Sequence, residues 1–246
     1  MSEPTSLPPV LKLLADDVRW GLVKALTVSD LRVQELSAAV NVPMNLVSYH
    51  LKKLRQDELV ITRRSEADGR DLYYRLDVEK LRTLYQQAGY ALHPALNSGE
   101  LLEFSAPAMP HLRVLFVCTH NAARSQLAEA LLRQQSGNQI EVHSAGNVPT
   151  EVHPDTLTTL ETLGVPHGGQ YAKSLQDFVG QSFDYVITVC DKAREVCPTF
   201  PGGKQLHWGF ADPLNLDDEQ ERRAALEQIA AELAERIAYF LMEQRT

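Results

Sequence analysis

Three cysteines are the whole thiol content of this 246-residue chain. The first, Cys118, follows the apolar residues 114–117 and precedes an apolar-periodic segment that begins at Leu127. This order predicts a strand, a loop and a helix, so that the loop ends at a helix N-terminus. Unpaired backbone N–H groups and the helix dipole at such an end form a site for a tetrahedral oxyanion. The same field favours the thiolate form of Cys118, which is the form that acts as a nucleophile.

The residues after Cys118 are predicted to cradle the oxyanion. The predicted binding residues are Thr119, His120, Asn121, Ala122, Ala123, Arg124 and Ser125. Because this loop contains no glycine, we expect Asn121 to take the left-handed backbone conformation that a tight turn requires. His120 is expected to shape the loop rather than to act as an acid or base. The alternative is that Cys118 is only a small core residue at the end of a strand.

Cys190 and Cys197 are predicted to resolve whatever bond Cys118 forms. If the six residues between them are helical, the two sulfurs lie roughly 10 Å apart. A disulfide needs Cα atoms about 5.5 Å apart, so this segment would have to unwind on oxidation. The alternative is a metal site with Cys118 or His207 as further ligands. The pair lacks the short Cys-x2-Cys spacing of structural zinc, and we predict no metal site.

Composition places limits on the class of protein. No apolar run approaches the roughly 20 residues that span a bilayer, and the N-terminus lacks the pattern of a signal peptide, so we expect a cytoplasmic protein without a membrane segment. An odd number of cysteines argues against a secreted disulfide framework. The net charge of −8 is uneven, because residues 1–99 carry 13 Lys and Arg against 12 Asp and Glu, whereas residues 100–246 carry 11 against 20. The first part is therefore the candidate for binding nucleic acid.

The first part of the chain has the pattern of a winged helix-turn-helix. A helical apolar period runs from Val10 to Leu26, and further helices are expected at 31–40 and 43–55, with Pro43 as the first residue of the last. Two β-rich runs at 59–64 and 72–76 flank Asp68-Gly69, which predicts a hairpin. The alternative is a helical bundle with an unrelated hairpin. The predicted DNA-binding residues are Asn45, Ser48, Tyr49, His50, Lys52, Lys53, Arg63 and Arg70.

The second part alternates strands and helices. Strands are predicted at 113–117, 140–144 and 185–189, and helices at 126–135, 153–163 and 217–242. This alternation predicts a small parallel sheet covered by helices, with a ligand at the carboxyl ends of the strands. We therefore predict a winged-helix domain over 1–92, a linker over 93–111 with one short helix at 99–104, and an α/β domain over 112–246.

Residues 7–90 resemble the ArsR-type winged-helix repressors, most clearly in Val47-Ser48-Tyr49-His50-Leu51-Lys52-Lys53-Leu54 and Tyr73-Tyr74-Arg75-Leu76. The resemblance implies a homodimer that binds double-stranded operator DNA and is released when cysteines capture a metal or metalloid. The usual two-cysteine sensor segment falls on residues 31–36, where Arg32 and Gln34 stand instead of thiols. Because residues 1–117 contain no cysteine, that mode of sensing arsenite is predicted to be absent.

Residues 112–246 resemble the low-molecular-weight tyrosine phosphatase fold and, within it, the thioredoxin-coupled arsenate reductases. The matching segments are Val117-Cys118-Thr119, Arg124-Ser125-Gln126, His143-Ser144-Ala145-Gly146, Val189-Cys190, Cys197-Pro198, His207-Trp208-Gly209-Phe210 and Asp212-Pro213. The resemblance implies a four-stranded parallel sheet. The Cys190 and Cys197 pair favours the reductases, as does the absence of tyrosine directly after Pro213.

This second resemblance implies a mechanism. Arsenate, with phosphate and sulfate as analogues, binds the loop; Cys118 attacks arsenic, and Asp212 assists proton transfer. Cys190 then attacks Cys118, arsenite leaves, and Cys197 attacks Cys190 to form a disulfide that thioredoxin reduces. No bound cofactor is implied. The catalytic residues implied are Cys118, Arg124, Ser125, Asp212, Cys190 and Cys197.

The resemblance also raises the question of potassium, which some of these reductases hold beside the loop. Asn121, Glu129 and Ser144 match part of that site, but the acidic partner would fall near Leu175, which leaves the set incomplete.

The leading hypothesis is thus an arsenate reductase fused to a DNA-binding regulator that dimerises through its first domain. A protein tyrosine phosphatase on the same scaffold is one alternative. A non-enzymatic regulator that senses an oxyanion or redox state through Cys118 is another. The reductant could be thioredoxin or a low-molecular-weight thiol, and Asp212-Pro213 could be only a surface turn.

Overall fold

The computed structural model describes residues 7–93 and 111–244. The chain divides into two compact units, Met1–Ser105 and Ala106–Thr246. Most of the predicted linker over 93–111, including its short helix at 99–104, lies outside the described residues. Within the described ranges, no helix has both the length and the apolar character needed to cross a bilayer.

The first unit is a winged helix-turn-helix, as predicted. Its elements are α1 (Pro9–Leu14), α2 (Asp17–Leu26), β1 (Leu31–Arg32), α3 (Val33–Val40), α4 (Met44–Gln56), β2 (Val60–Arg64), β3 (Leu72–Leu76) and α5 (Val78–Leu92). The three strands pair antiparallel in the order β1-β3-β2. The core lies between the helices and this sheet, where Leu22, Leu36, Val47 and Leu51 are buried.

Capping explains where the helix boundaries differ from the predictions. The period from Val10 to Leu26 is split into α1 and α2, because the Asp16 carboxylate accepts a hydrogen bond from the Arg19 amide and starts a new helix. α3 begins at Val33 rather than Leu31, since Leu31 and Arg32 pair with β3. Pro43 is the N-cap of α4 and not its first residue.

The second unit is a parallel sheet covered by helices, also as predicted. Its elements are β4 (Arg113–Cys118), α6 (Arg124–Gln135), β5 (Glu141–Gly146), α7 (Pro154–Thr162), β6 (Tyr185–Thr188), α8 (Asp191–Val196), β7 (Lys204–His207) and α9 (Glu219–Glu243). The four strands run parallel in the order β5-β4-β6-β7. Periodicity missed the edge strand β7, because its first two residues, Lys204 and Gln205, are exposed.

Strand β4 lies between two partners and is buried from Val114 to Cys118. All four strands point the same way, so their carboxyl ends meet at one edge of the sheet. Cys118 and Gly146 are register partners at that edge, and β6 and β7 end there at Thr188 and His207. The loop from β4 to α6 therefore lies among the ends of three other strands.

Gly146 lies directly against that loop. A Cβ atom at this position would lie 2.8 Å from the amide nitrogen of Asn121 and 2.8 Å from the carbonyl oxygen of Thr119. Both are backbone atoms, so a side chain could fit only if the loop moved. The Gly146 amide also donates to the Lys173 carbonyl at 2.9 Å, which fixes the glycine from its other side.

We therefore predict that Gly146→Ala destabilises the second domain by about 1–3 kcal/mol, because it overpacks a backbone contact that cannot relax. Urea unfolding measures the change. Gly168→Ala is the matched control, since a Cβ there would meet nothing within 4 Å. Equal unfolding midpoints for the two variants would contradict the prediction.

Candidate functional site

The loop after β4 is folded tightly around the Cys118 sulfur. Asn121 adopts φ 51°, so the predicted left-handed conformation is confirmed. This turn brings the Asn121 amide to 3.2 Å from Cys118 Sγ, to which it donates. Helix α6 starts at Arg124, and its first-turn N–H groups have no acceptors within the helix. The strand, loop and helix follow each other in the order that the sequence predicts, and the loop leads directly to the N-terminal end of α6.

Cys118 is only 2% exposed and has a hydroxyl beside it. Ser125 Oγ lies 2.9 Å from Cys118 Sγ. The sulfur therefore contacts two hydrogen-bonding groups, the Ser125 hydroxyl and the Asn121 backbone amide. Hydrogen bonds to a thiolate stabilise the charged form, which is the nucleophilic one.

Arg124 and Asp212 come together although 87 residues separate them in the sequence. The Arg124 guanidinium donates to Asp212 Oδ2 at 2.7 Å and to the Phe210 carbonyl at 2.9 Å. The second Asp212 oxygen accepts from the Leu214 amide at 3.2 Å. Asp212 is therefore held beside the loop rather than on a distant surface turn.

Cys190 lies next to Thr119, the first residue of the loop after Cys118. Its sulfur is 3.3 Å from Thr119 Oγ1 and accepts a hydrogen bond from the Ala193 amide at 3.4 Å as the N-cap of α8. Burial raises the pKa of the Cys190 thiol above its usual value, and the nearby Arg124 charge opposes that shift. Cys190 thus rests as a thiol next to a group that favours its thiolate.

Cys197 follows the C-terminal end of α8. Burial raises the pKa of its thiol to about 11. The six-residue helix α8, Asp191–Val196, lies between Cys190 and Cys197, and all three cysteines are free thiols. The segment between the two thiols is therefore helical in the reduced protein.

The start of α8 is tied to the sheet by a buried pair that the sequence analysis missed. His207 Nε2 lies 3.0 Å from Asp191 Oδ1, and His207 Nδ1 lies 2.9 Å from Thr188 Oγ1. The sequence analysis considered His207 only as a metal ligand. In the part of the chain that the structure describes, no group of three or more His, Cys, Asp or Glu is arranged to hold a metal ion. An aspartate directly after Cys190 was the available signal for this contact.

Behind the loop lies a second buried polar network. Its members are Asn121, Gln126, Glu129, Ser144 and Lys173. The sequence analysis named Asn121, Glu129 and Ser144 but neither Gln126 nor Lys173 as members. Lys173 had no local signal, because its partners Asn121 and Glu129 lie 52 and 44 residues away. Gln126 lies only five residues from Asn121, in the matching segment Arg124-Ser125-Gln126, which was the available signal for it.

Most of the predicted DNA-binding residues lie on the surface of the first unit. Asn45, Ser48, Tyr49 and Lys52 are exposed on α4. Arg70 is exposed near the tip of the hairpin, where it pairs with Asp68 at 2.8 Å.

Two of the predicted cations are partly covered by aromatic rings. The Lys53 ammonium lies 4.7 Å from the centroid of the Tyr49 ring, and the Arg63 guanidinium lies 5.3 Å from that of Tyr73. Both residues are half-buried.

His50 differs from the prediction. It is only 6% exposed, and its Nδ1 lies 3.5 Å from Asp16 Oδ1. The helical period turns this position toward α2, so its side chain is in the interior and not on the exposed face of α4.

Both units match known families. Residues 113–245 match the family described as low molecular weight phosphotyrosine protein phosphatase, and residues 16–62 match the bacterial regulatory proteins of the arsR family. The arsenate reductase of Halalkalibacterium halodurans is 32% identical over 129 residues, which are 52% of this chain and 93% of that protein. The arsenate reductase of Bacillus subtilis is 31% identical with the same coverage.

Among solved structures, a thioredoxin-dependent arsenate reductase of Corynebacterium glutamicum is 32% identical, with 65% of this chain and 73% of that chain covered and a TM-score of 0.44. The two family matches fall one in each of the two units of the structure. The chain therefore belongs to the low molecular weight phosphotyrosine protein phosphatase family through its second domain, which is related to bacterial arsenate reductases, and carries an arsR-family helix-turn-helix domain before it.

Proposed function

We propose that the second domain reduces arsenate to arsenite with thioredoxin as the electron donor, and that the first domain binds double-stranded DNA as a homodimer. One observation carries the proposal for the second domain. The Cys190 sulfur lies 3.3 Å from the Thr119 hydroxyl, so a second thiol opens onto the loop that holds Cys118. A phosphatase needs only the first thiol, whereas a reductase needs both.

Arsenate is a tetrahedral oxyanion, and its binding would use the first-turn amides of α6 and the Arg124 guanidinium. Phosphate and sulfate have the same shape and would bind as analogues. Arg124 is already held in place by Asp212 and the Phe210 carbonyl, so little side-chain freedom is lost when the anion binds.

In the first step the Cys118 thiolate attacks As(V), a sulfur–arsenic bond forms, and one arsenate oxygen leaves as water. The leaving oxygen takes up a proton from solvent, and Asp212, held by Arg124, assists this proton transfer. In the second step the Cys190 sulfur attacks Cys118 Sγ. The pair of electrons of the sulfur–arsenic bond stays with arsenic, so arsenite leaves as As(III) and a Cys118–Cys190 disulfide remains.

The third step replaces the Cys118–Cys190 disulfide with a Cys190–Cys197 disulfide. Cys197 attacks Cys190, and the Cys118 thiolate is released. The pKa of about 11 that burial gives to Cys197 disfavours its thiolate in the reduced protein. Unwinding of α8 would expose this thiol and bring it to Cys190. Thioredoxin then reduces the Cys190–Cys197 disulfide and is itself oxidised to a disulfide.

The proposed relay requires all three thiols for arsenate turnover. Arsenate turnover with thioredoxin and its reductase should fall to background in Cys118→Ser, Cys190→Ser and Cys197→Ser alike, because each breaks the relay. Cys190→Ser keeps Cys118, so any hydrolysis of an aryl phosphate should survive in that variant and serves as its control.

Two results would contradict the reductase. Aryl phosphate hydrolysis without arsenate turnover in the wild type would assign a phosphatase. Neither activity, together with DNA binding that responds to arsenate, would assign a sensor.

The next prediction concerns α8. Amides of residues 191–197 should exchange with solvent faster in the oxidised protein than in the reduced one, because the helix must open for Cys190 and Cys197 to join. Hydrogen exchange measured by mass spectrometry reports the change, and α7 in the same domain is the control that should not respond. Equal protection of α8 in both redox states would exclude the proposed movement.

The last prediction in this group tests the DNA-binding domain. Lys52→Ala should weaken binding to any duplex and lower the slope of log affinity against log salt by about 0.9, as expected for one lost phosphate contact. Lys24→Ala on α2 removes the same charge away from α4 and the hairpin, and should leave the slope unchanged. The same slope for Lys52→Ala and the wild type would rule out this surface.

A further inference from the structure

A buried ammonium group lies behind the catalytic loop, where the resemblance to some reductases suggests potassium. Lys173 Nζ is 3.1 Å from Glu129 Oε2 and 3.1 Å from the Tyr171 carbonyl oxygen, and it lies 4.8 Å from the centroid of the Tyr171 ring. The lysine side chain is 9% exposed and that of Glu129 is 6% exposed. A potassium ion would need the same oxygens and would meet a like charge at contact distance. The residues present therefore do not fit potassium.

We propose that Lys173 replaces a bound cation in this protein and acts as a positioning residue for Cys118. The ammonium pairs with Glu129 and fixes its side chain, and Glu129 orients a chain of hydrogen bonds that ends at the Cys118 sulfur. The proposal rests on the proposed function only in naming Cys118 as the nucleophile.

The chain begins at Glu129. Its Oε2 accepts hydrogen bonds from the Lys173 ammonium and from the Ser144 hydroxyl. Since the Ser144 hydrogen is used on Glu129, the Ser144 oxygen can act only as an acceptor toward Asn121. It accepts from Asn121 Nδ2 at 2.8 Å.

Asn121 links Ser144 to the loop residue Ser125 and sets the direction of the next hydrogen bond. Its Oδ1 accepts from the Lys173 amide at 2.7 Å and from Gln126 Nε2 at 3.0 Å, which fixes the amide group with its nitrogen toward the two serines. The second hydrogen on Nδ2 is donated to Ser125 Oγ at 2.8 Å. Ser125 thereby accepts from Asn121, and its own hydrogen is directed to Cys118 Sγ at 2.9 Å. A hydroxyl that donates to the sulfur favours the thiolate.

Lys173 acts at both ends of this arrangement. Its side chain neutralises Glu129, and its backbone amide holds Asn121. Without the ammonium, Oε2 of this buried carboxylate would have no cation beside it, and the carboxylate would turn toward another charge. Arg133 offers such a charge, because it pairs with the other oxygen, Oε1, from a half-exposed position. Loss of the ammonium would therefore weaken the hold of Glu129 on Ser144 and, through Ser144, the hold on Asn121 Nδ2.

The test measures Cys118 directly, in a background of Cys190→Ser and Cys197→Ser. Lys173→Ala and Lys173→Met both remove the charge and keep the backbone amide, but only the alanine leaves space for an ion. Alkylation of Cys118 by iodoacetamide should slow at least about tenfold in choline chloride for both variants, the size expected when a hydrogen bond to a charged group is lost. The ultraviolet absorbance of the thiolate should fall in parallel.

Potassium gives the decisive comparison. Potassium chloride at the same ionic strength should restore most of the alkylation rate to Lys173→Ala, little to Lys173→Met, and none to the wild type, which needs no added cation. Lys173→Arg keeps the charge and should stay within about threefold of the wild type. Lys204→Ala, an exposed lysine of the same domain, should behave as the wild type.

Three results would overturn the proposal. These are wild-type alkylation rates in Lys173→Met, an equal loss in Lys173→Arg, or potassium activation of the wild type. Circular dichroism of each variant checks the fold, and Lys173→Arg keeps the question open to measurement if the other two variants do not fold. If the variants show the expected alkylation rates but the wild type does not turn over arsenate, the proposed function is overturned. The role of Lys173 then stands.

Discussion

The parallel alignment of four strands is the constraint on which the catalytic half of this protein depends. Because the strands run in one direction, Cys118, Gly146, Thr188 and His207 all reach the same edge of the sheet. Cys118 ends one strand and Cys190 follows another. The loop between β4 and α6 passes beside Gly146 with no room for a side chain. A shift of one strand would separate the two thiols.

Burial gives the three thiols different chemistry within one small domain. Cys118 is buried but receives hydrogen bonds from a hydroxyl and a backbone amide. Cys190 and Cys197 have raised pKa values because burial disfavours their charged forms, and only Cys190 has a neighbouring arginine that opposes the effect. Burial thus disfavours the thiolates of Cys190 and Cys197, while Cys118 differs from them in the hydrogen-bonding groups around its sulfur.

The sequence was a sufficient guide wherever the signal was local. The strand, loop and helix around Cys118, the left-handed Asn121 and the winged helix all follow from neighbouring residues and helical or strand period. Local signals failed where a long-range contact decided the outcome. Arg32 was assigned to a helix but pairs with β3, and His50 was assigned to an exposed face but packs toward Asp16.

By itself, then, the sequence determined where the chemistry-bearing groups stand: one thiol between a strand and a helix, two more thiols further along, and a helix-turn-helix ahead of them. Only the tertiary structure decided which groups contact the first thiol. Lys173 lies 52 residues from Asn121 and 44 from Glu129 in the chain, yet it contacts both. Such contacts are set by how the strands and loops pack, and a buried charge finds its partner in space, where sequence spacing gives no signal.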